Sequence, residues 1–184
     1  MINKIFYKHY VFLEELNPLL KKNLLKFKNL YIIININQND KKNLEKQNSI
    51  VQFAKKNRIP FLFKNSFQKC TKYNASGIFL DSKYKIITKP LLLKKQFRVI
   101  GSVHNQLEYT FKIKQGCELV MLSPIFYNEK YSKYKILGPL KFNKMSLSWK
   151  LRLCALGGIN SKTLKKLNLT KVRNMSFRKF IYQP

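Results

Sequence analysis

Eight short runs of apolar, β-branched and aromatic residues, bounded by turn-forming residues, recur along this chain and constrain its fold more than any other feature. They cover residues 10–13, 30–36, 60–63, 77–80, 99–103, 119–122, 153–156 and 172–175. Several are continuously apolar rather than alternating, the pattern of parallel strands buried on both faces. Between most of them lie stretches with helical spacing, so the chain reads as repeated strand–helix units feeding one parallel sheet. Eight strands close such a sheet into a barrel without exposed edges. The expected fold is therefore α/β, a compact (β/α)8 TIM barrel forming one domain over residues 1–184. At 184 residues the chain is shorter than the ~200 usual for such barrels, so its connections must be trimmed. A doubly wound open sheet is the alternative with the same alternation of elements.

The helical stretches carry their own punctuation. Asn17 followed by Pro18 reads as an N-cap and first helical residue, leading into Leu19, Leu20, Leu24 and Phe27 on one face. Asn105 with Glu108 three residues later resembles a capping box, Leu107 and Phe111 follow as an apolar i, i+4 pair, and Gly116 supplies the stop. Weaker helices are expected over 66–73 and 178–182, and 126–137 reads as a long loop.

Hydrophobic residues make up 45% of the chain and aromatics 14%, enough to form a core despite a net charge of +29. The 37 basic residues against 8 acidic ones raise the question of nucleic acid. Lysine is scattered along the whole chain, however, and accompanies abundant Asn, Ile, Phe and Tyr, as AT-rich codons would produce. Arginine is scarce and no recognition helix is evident, so weak polyanion attraction is expected but no specific nucleic-acid reading. No apolar run approaches the ~20 residues needed to span a bilayer, and the N-terminal stretch lacks a signal-peptide pattern, so the expected location is the cytoplasm, with no membrane partner. Cys70, Cys117 and Cys154, odd in number and widely spaced, read as buried free thiols.

In a barrel of this kind chemistry gathers at the C-terminal strand ends. After the seventh run, Gly157 and Gly158 allow backbone N–H groups to approach an anion closely, and Ser161 opens a helix whose dipole would assist. Ser176, after the eighth, would complete a phosphate cradle, since barrels often bind phosphate between these two loops. His104, after the fifth, is suited to proton transfer at neutral pH. The loop after the sixth opens with Ser123 and carries Asn128, Lys130, Lys133 and Lys135, cations that could close over a substrate's phosphate oxygens.

Four segments, in order and spacing, resemble the thiamine phosphate synthase/TenI family: Gly101-Ser102-Val103-His104, Gly116-Cys117-Glu118-Leu119-Val120, Ser123-Pro124-Ile125-Phe126 and Ala155-Leu156-Gly157-Gly158-Ile159-Asn160. The interval from Pro60 to Gly77 is similar too, and the likeness covers roughly Tyr31 to Arg178. The resemblance implies a thiazole phosphate held by Gly157, Gly158 and Ser176 with His104 beside it. In the synthase branch it also implies a hydroxymethylpyrimidine pyrophosphate that loses pyrophosphate, with Mg2+ assistance, to give thiamine phosphate. In the TenI branch the histidine is taken as the acid/base of a thiazole phosphate tautomerisation.

On the pyrimidine and pyrophosphate side the positions implied are Asn35, Asn37, Lys64 and Asn65. There the family carries Arg-x-Lys (here Asn35-Ile36-Asn37) and Asn-Asp (here Lys64-Asn65), while its second metal-binding Asp falls on about Tyr84. The pyrophosphate loop is also altered, to Asn128, Lys130 and Tyr131. Asp81 and Asp40 would have to stand in as Mg2+ ligands, or Lys64 would replace the metal's charge. Besides the two enzymes, a non-catalytic barrel that binds phosphorylated ligands is carried as an alternative, and a basic nucleic-acid-binding protein as the last.

Overall fold

The computed structural model describes residues 8–36, 40–87, 97–128 and 135–177. Its eight parallel strands are β1 (Lys8–Leu13), β2 (Leu30–Ile34), β3 (Phe61–Lys64), β4 (Gly77–Leu80), β5 (Arg98–Val103), β6 (Leu119–Leu122), β7 (Arg152–Leu156) and β8 (Asn174–Phe177). They pair in sequence order and β8 returns to β1, closing the barrel that the eight runs predict and excluding the open sheet. Between strands lie α1 (Pro18–Leu24), α2 (Lys41–Lys56), α3 (Phe67–Tyr73), α4 (Gln106–Lys114), α5 (Gly138–Ser146) and α6 (Ser161–Leu164), the last continuing as a 3-10 turn over Lys165–Leu169.

Strand alternation divides the core into two layers. Tyr10, Phe12, Ile33, Leu62, Phe79 and Met121 fill the barrel interior, whereas Val11, Ile32, Ile34, Phe63, Leu80 and Leu122 belong to the layer under the helices. Both faces are therefore apolar, which explains the continuous hydrophobic runs, and burying each such side chain contributes about 1.5–3 kcal/mol. The three cysteines are free and buried as expected, and burial pushes the thiols of Cys70 and Cys117 up to about 12.

The predicted N-cap at Asn17 forms. Asn17 Oδ1 accepts from Leu20 N–H at 2.7 Å with Pro18 next, and α1 buries Leu20 and Leu24, although Leu19 is exposed. Ser66 Oγ caps α3 through Lys69 N–H, and Asn74 ends it in the left-handed region at φ 52°. The stub expected at 178–182 and part of the 126–137 loop lie outside the described residues.

Two expectations are corrected. β8 begins at Asn174 instead of Val172, because Val172 is buried beside the barrel while the ladder itself joins Asn174 to Lys8 and Cys154. In α4 the buried residues are Tyr109 and Lys112, while Leu107 is 83% exposed. Tyr109 stacks on Trp149 with ring centroids 4.1 Å apart, and its hydroxyl accepts from the N–H groups of Lys150 and Leu151. The Lys112 stem lies over Gly101, where a Cβ would come within 2.7 Å of Lys112 Cδ. Amphipathic side chains with specific partners outcompete a leucine whose position faces water.

Candidate functional site

Polar residues continue the inward face of the barrel at its C-terminal end. Lys64 is in register with Phe79, Ser102 with Met121, and Ser176 with Tyr10 and Leu156, all of whose apolar partners belong to the interior layer. Just beyond the strand ends come Asn35, Asp81, His104, Ser123 and the pair Gly157 and Gly158.

His104 is held from both sides. Its backbone N–H donates to Glu108 Oε2 at 2.7 Å, and its Nδ1 lies 2.8 Å from the carbonyl oxygen of Ser123, just after the neighbouring strand, and 3.1 Å from Ser123 Oγ. Glu108 thus reaches one residue past the N-cap instead of closing the expected capping box, although Asn105 does cap α4 through Glu108 N–H. A carbonyl oxygen only accepts, so in the neutral ring Nδ1 carries the proton and Nε2 is the basic nitrogen.

Gly157 and Gly158 have φ of 95° and 69°, left-handed values that favour glycine. A Cβ on Gly158 would also fall within 2.5 Å of the Phe126 carbonyl, since the segment after β6 is laced to the turn by Ile125 N–H to Leu156 O and Phe126 N–H to Gly157 O. Backbone conformation at both positions and packing at Gly158 therefore favour glycine without any ligand. The helix dipole expected to assist them is weak, because α6 is only four residues long and its N–H groups at Lys162 and Thr163 are already capped by Asn160 Oδ1.

Ser176 is inside β8 rather than after it. Its side chain is fully buried, and Oγ has no hydrogen-bond partner among the described residues, leaving an orphaned hydroxyl below the glycine turn. Asn128 brings Nδ2 to 3.3 Å from where a Gly157 Cβ would stand, whereas Asn37, Lys130 and Lys133 lie outside the described residues.

On the opposite side of the mouth, Lys64 Nζ stands 3.5 Å from Asp81 Oδ2, with both side chains mostly buried. Asp81 Oδ1 accepts from the N–H groups of Lys83 and Tyr84, and Asp81 N–H donates to Asn65 Oδ1 at 2.9 Å. Burial would raise the Asp81 carboxyl, but hydrogen bonding by the Asn65 side chain and the charge of Lys64 outweigh it and hold it below the usual carboxylate value. Asn35 Nδ2 donates to Glu14, and its Oδ1 is buried without a partner among the described residues.

One clamp escapes any reading along the chain. Lys112 Nζ donates to the carbonyls of Asp81 (2.7 Å) and Tyr84 (3.3 Å) and to Gln115 Oε1, while Gln115 Nε2 donates to the carbonyls of Tyr84 and Ile86. Together they hold the segment carrying Asp81 from beneath. The sequence offers no signal for this beyond a lysine on a helix.

The described residues do not fit a magnesium ion. Among the described residues no three His, Cys, Asp or Glu gather closely enough to hold a metal. Asp40 is occupied in capping α2 through the N–H and side-chain amide of Asn43. An ion on Asp81 Oδ2 would share that carboxylate with the Lys64 ammonium. At ~4 Å and an effective dielectric constant near 20, a divalent ion's repulsion from the ammonium is about 8 kcal/mol, similar in size to its attraction to the carboxylate, so the pair as it stands offers little net hold. Magnesium is also a demanding octahedral oxygen seeker, for which one engaged carboxylate is a poor anchor.

The closed parallel barrel, with its polar side chains gathered at the C-terminal mouth, defines a (β/α)8 protein of the kind that works on ligands at that end. A profile described as thiamine monophosphate synthase matches residues 14–181, and the chain belongs to that family. The thiamine-phosphate synthase of Prochlorococcus marinus subsp. pastoris is 27% identical over 145 residues, covering 77% of this chain but 39% of its own length. The chain thus corresponds to well under half of that curated relative. Among solved structures, the thiamine phosphate pyrophosphorylase from Pyrococcus furiosus is similar with a TM-score of 0.73 at 16% identity, covering 96% of this chain and 87% of that one. The 3-hexulose-6-phosphate synthase from Salmonella typhimurium gives 0.63 at 14% identity, with coverage of 95% and 90%. At these identities the structural likenesses concern the fold.

Proposed function

We propose that this barrel acts in thiamine biosynthesis, binding thiazole phosphate at the Gly157–Gly158 side of its mouth and joining it to hydroxymethylpyrimidine pyrophosphate with release of pyrophosphate. The family match over residues 14–181 carries this reading. The arrangement of the mouth supports it: a glycine turn and an orphaned Ser176 hydroxyl on one side, and a cation, Lys64, on the other. In this reading Ser176 and the turn orient the thiazole's phosphate, Asn128 and Ser123 line the loop above it, and Asn35, Lys64 and Asn65 face the pyrimidine pyrophosphate. A developing pyrophosphate needs positive charge beside it, and Lys64 supplies that charge.

A second reading is favoured by His104. A histidine whose Nδ1–H is anchored on a carbonyl presents Nε2 as a base, which is what a thiazole phosphate tautomerase requires. Incubating the protein with both substrates and measuring thiamine phosphate by chromatography separates the two. Accumulation of thiamine phosphate is the outcome expected. If none forms, while the protein interconverts thiazole phosphate tautomers and His104→Ala abolishes that turnover, the tautomerase reading replaces the first. If calorimetry shows no binding of thiazole phosphate, both fall.

A further inference from the structure

We propose that the mouth takes the diphosphate end of its ligand on the Lys64 ammonium in place of a divalent cation, so that pyrophosphate binding is independent of magnesium. This rests on the reading of the mouth given above and deepens it.

Lys64 ends β3 on the inward face, in register with Phe79, so its stem rises from the apolar interior and its ammonium is delivered to the rim of the mouth. Its counter-ion is a rigid one. Asp81 has one oxygen engaged by two backbone N–H groups, and its segment is held from below by Lys112 and Gln115. The ammonium is thereby localised, yet its 3.5 Å separation from Asp81 Oδ2 is well beyond the ~2.7–2.9 Å of a tight charge-assisted bond. A phosphate oxygen with more charge can therefore draw Lys64 away from the carboxylate. Asp81 works as a positioning residue and a competitor, and before the ligand arrives the Lys64 ammonium stands at the one carboxylate oxygen a metal ion would need.

The test is calorimetric titration with inorganic pyrophosphate at physiological ionic strength, where diffuse attraction to a chain of net charge +29 is screened beyond ~8 Å. Binding in EDTA is expected to match or exceed binding with magnesium in excess. Lys64→Met should weaken it by about tenfold or more, Lys64→Arg should restore most of it, and Asp81→Asn, which frees the ammonium, should tighten it severalfold. Thermal melts of each variant check the fold, and the Asp81→Asn gain is a result that misfolding would not produce. Binding that appears only with magnesium, binding unchanged in Lys64→Met, or no pyrophosphate binding at all would overturn the proposal. Thiazole phosphate, titrated in parallel, separates the two levels: if it still binds, the reading of the mouth stands without this inference.

Discussion

At Asp81, burial and hydrogen bonding pull the carboxyl in opposite directions, and the bonds win. Its folded value lies below the ~3.9 of an unfolded aspartate, so the stability it contributes is fully present above that value and is lost as pH falls through the folded one. Urea unfolding of the protein and of Asp81→Asn should therefore differ at neutral pH, with the variant less stable, and the difference should close as pH falls through the depressed folded value. The site's individual positions were partly legible in the sequence. His104 and the glycine pair were marked by their place after apolar runs, and Lys64 by its departure from the family pattern. The partnerships were not legible. Nothing along the chain says that Asp81 Oδ2 faces Lys64, or that Ser176 turns inward within its strand, because those facts depend on the register between strands that are distant in sequence.

Among the elements, α4 shows where local signals end. Its start at Asn105 and its stop near Gly116 follow from capping chemistry that operates within one turn. Its buried face does not, because Tyr109 and Lys112 are drawn inward by a Trp149 ring and by carbonyls of the segment after β4. Replacing Lys112 with methionine keeps most of the stem over Gly101 but leaves the Asp81 carbonyl and Gln115 Oε1 without their donor, the Tyr84 carbonyl keeping only Gln115 Nε2. A loss of about 1–3 kcal/mol is expected, measured by denaturant unfolding, with faster amide exchange confined to the 81–86 segment. A uniform change in exchange across the barrel would instead mean that the clamp is a core residue and not a holder of the mouth. β8 carries the same lesson: apolar runs announce burial, which Val172 has, but not the start of a ladder, which Asn174 makes.

For the whole molecule, the barrel was the most legible feature, since eight buried strands produce eight apolar runs whatever the loops do. The charge is the counterweight. A net +29 with three ion pairs among the described residues makes the folded state repel itself. Raising salt from ~0.01 to ~0.15 M shortens the screening length from ~30 to ~8 Å, so the melting temperature should rise by about 4 °C, equivalent to ~1–2 kcal/mol. A fall instead would show that specific ion pairs dominate over the diffuse repulsion. Seven of the barrel's eight ladders join strands that follow one another in the chain, and only the β1–β8 ladder, which sets Lys8–Val11 against Asn174–Phe177, spans nearly all of it. A nascent chain on the ribosome can therefore zip strand after strand, yet it carries two bare edges, on β1 and on its newest strand, until β8 has emerged. The interval before β8 docks is when this barrel is most exposed to mispairing with a neighbour, and a holding chaperone would be most useful to it then.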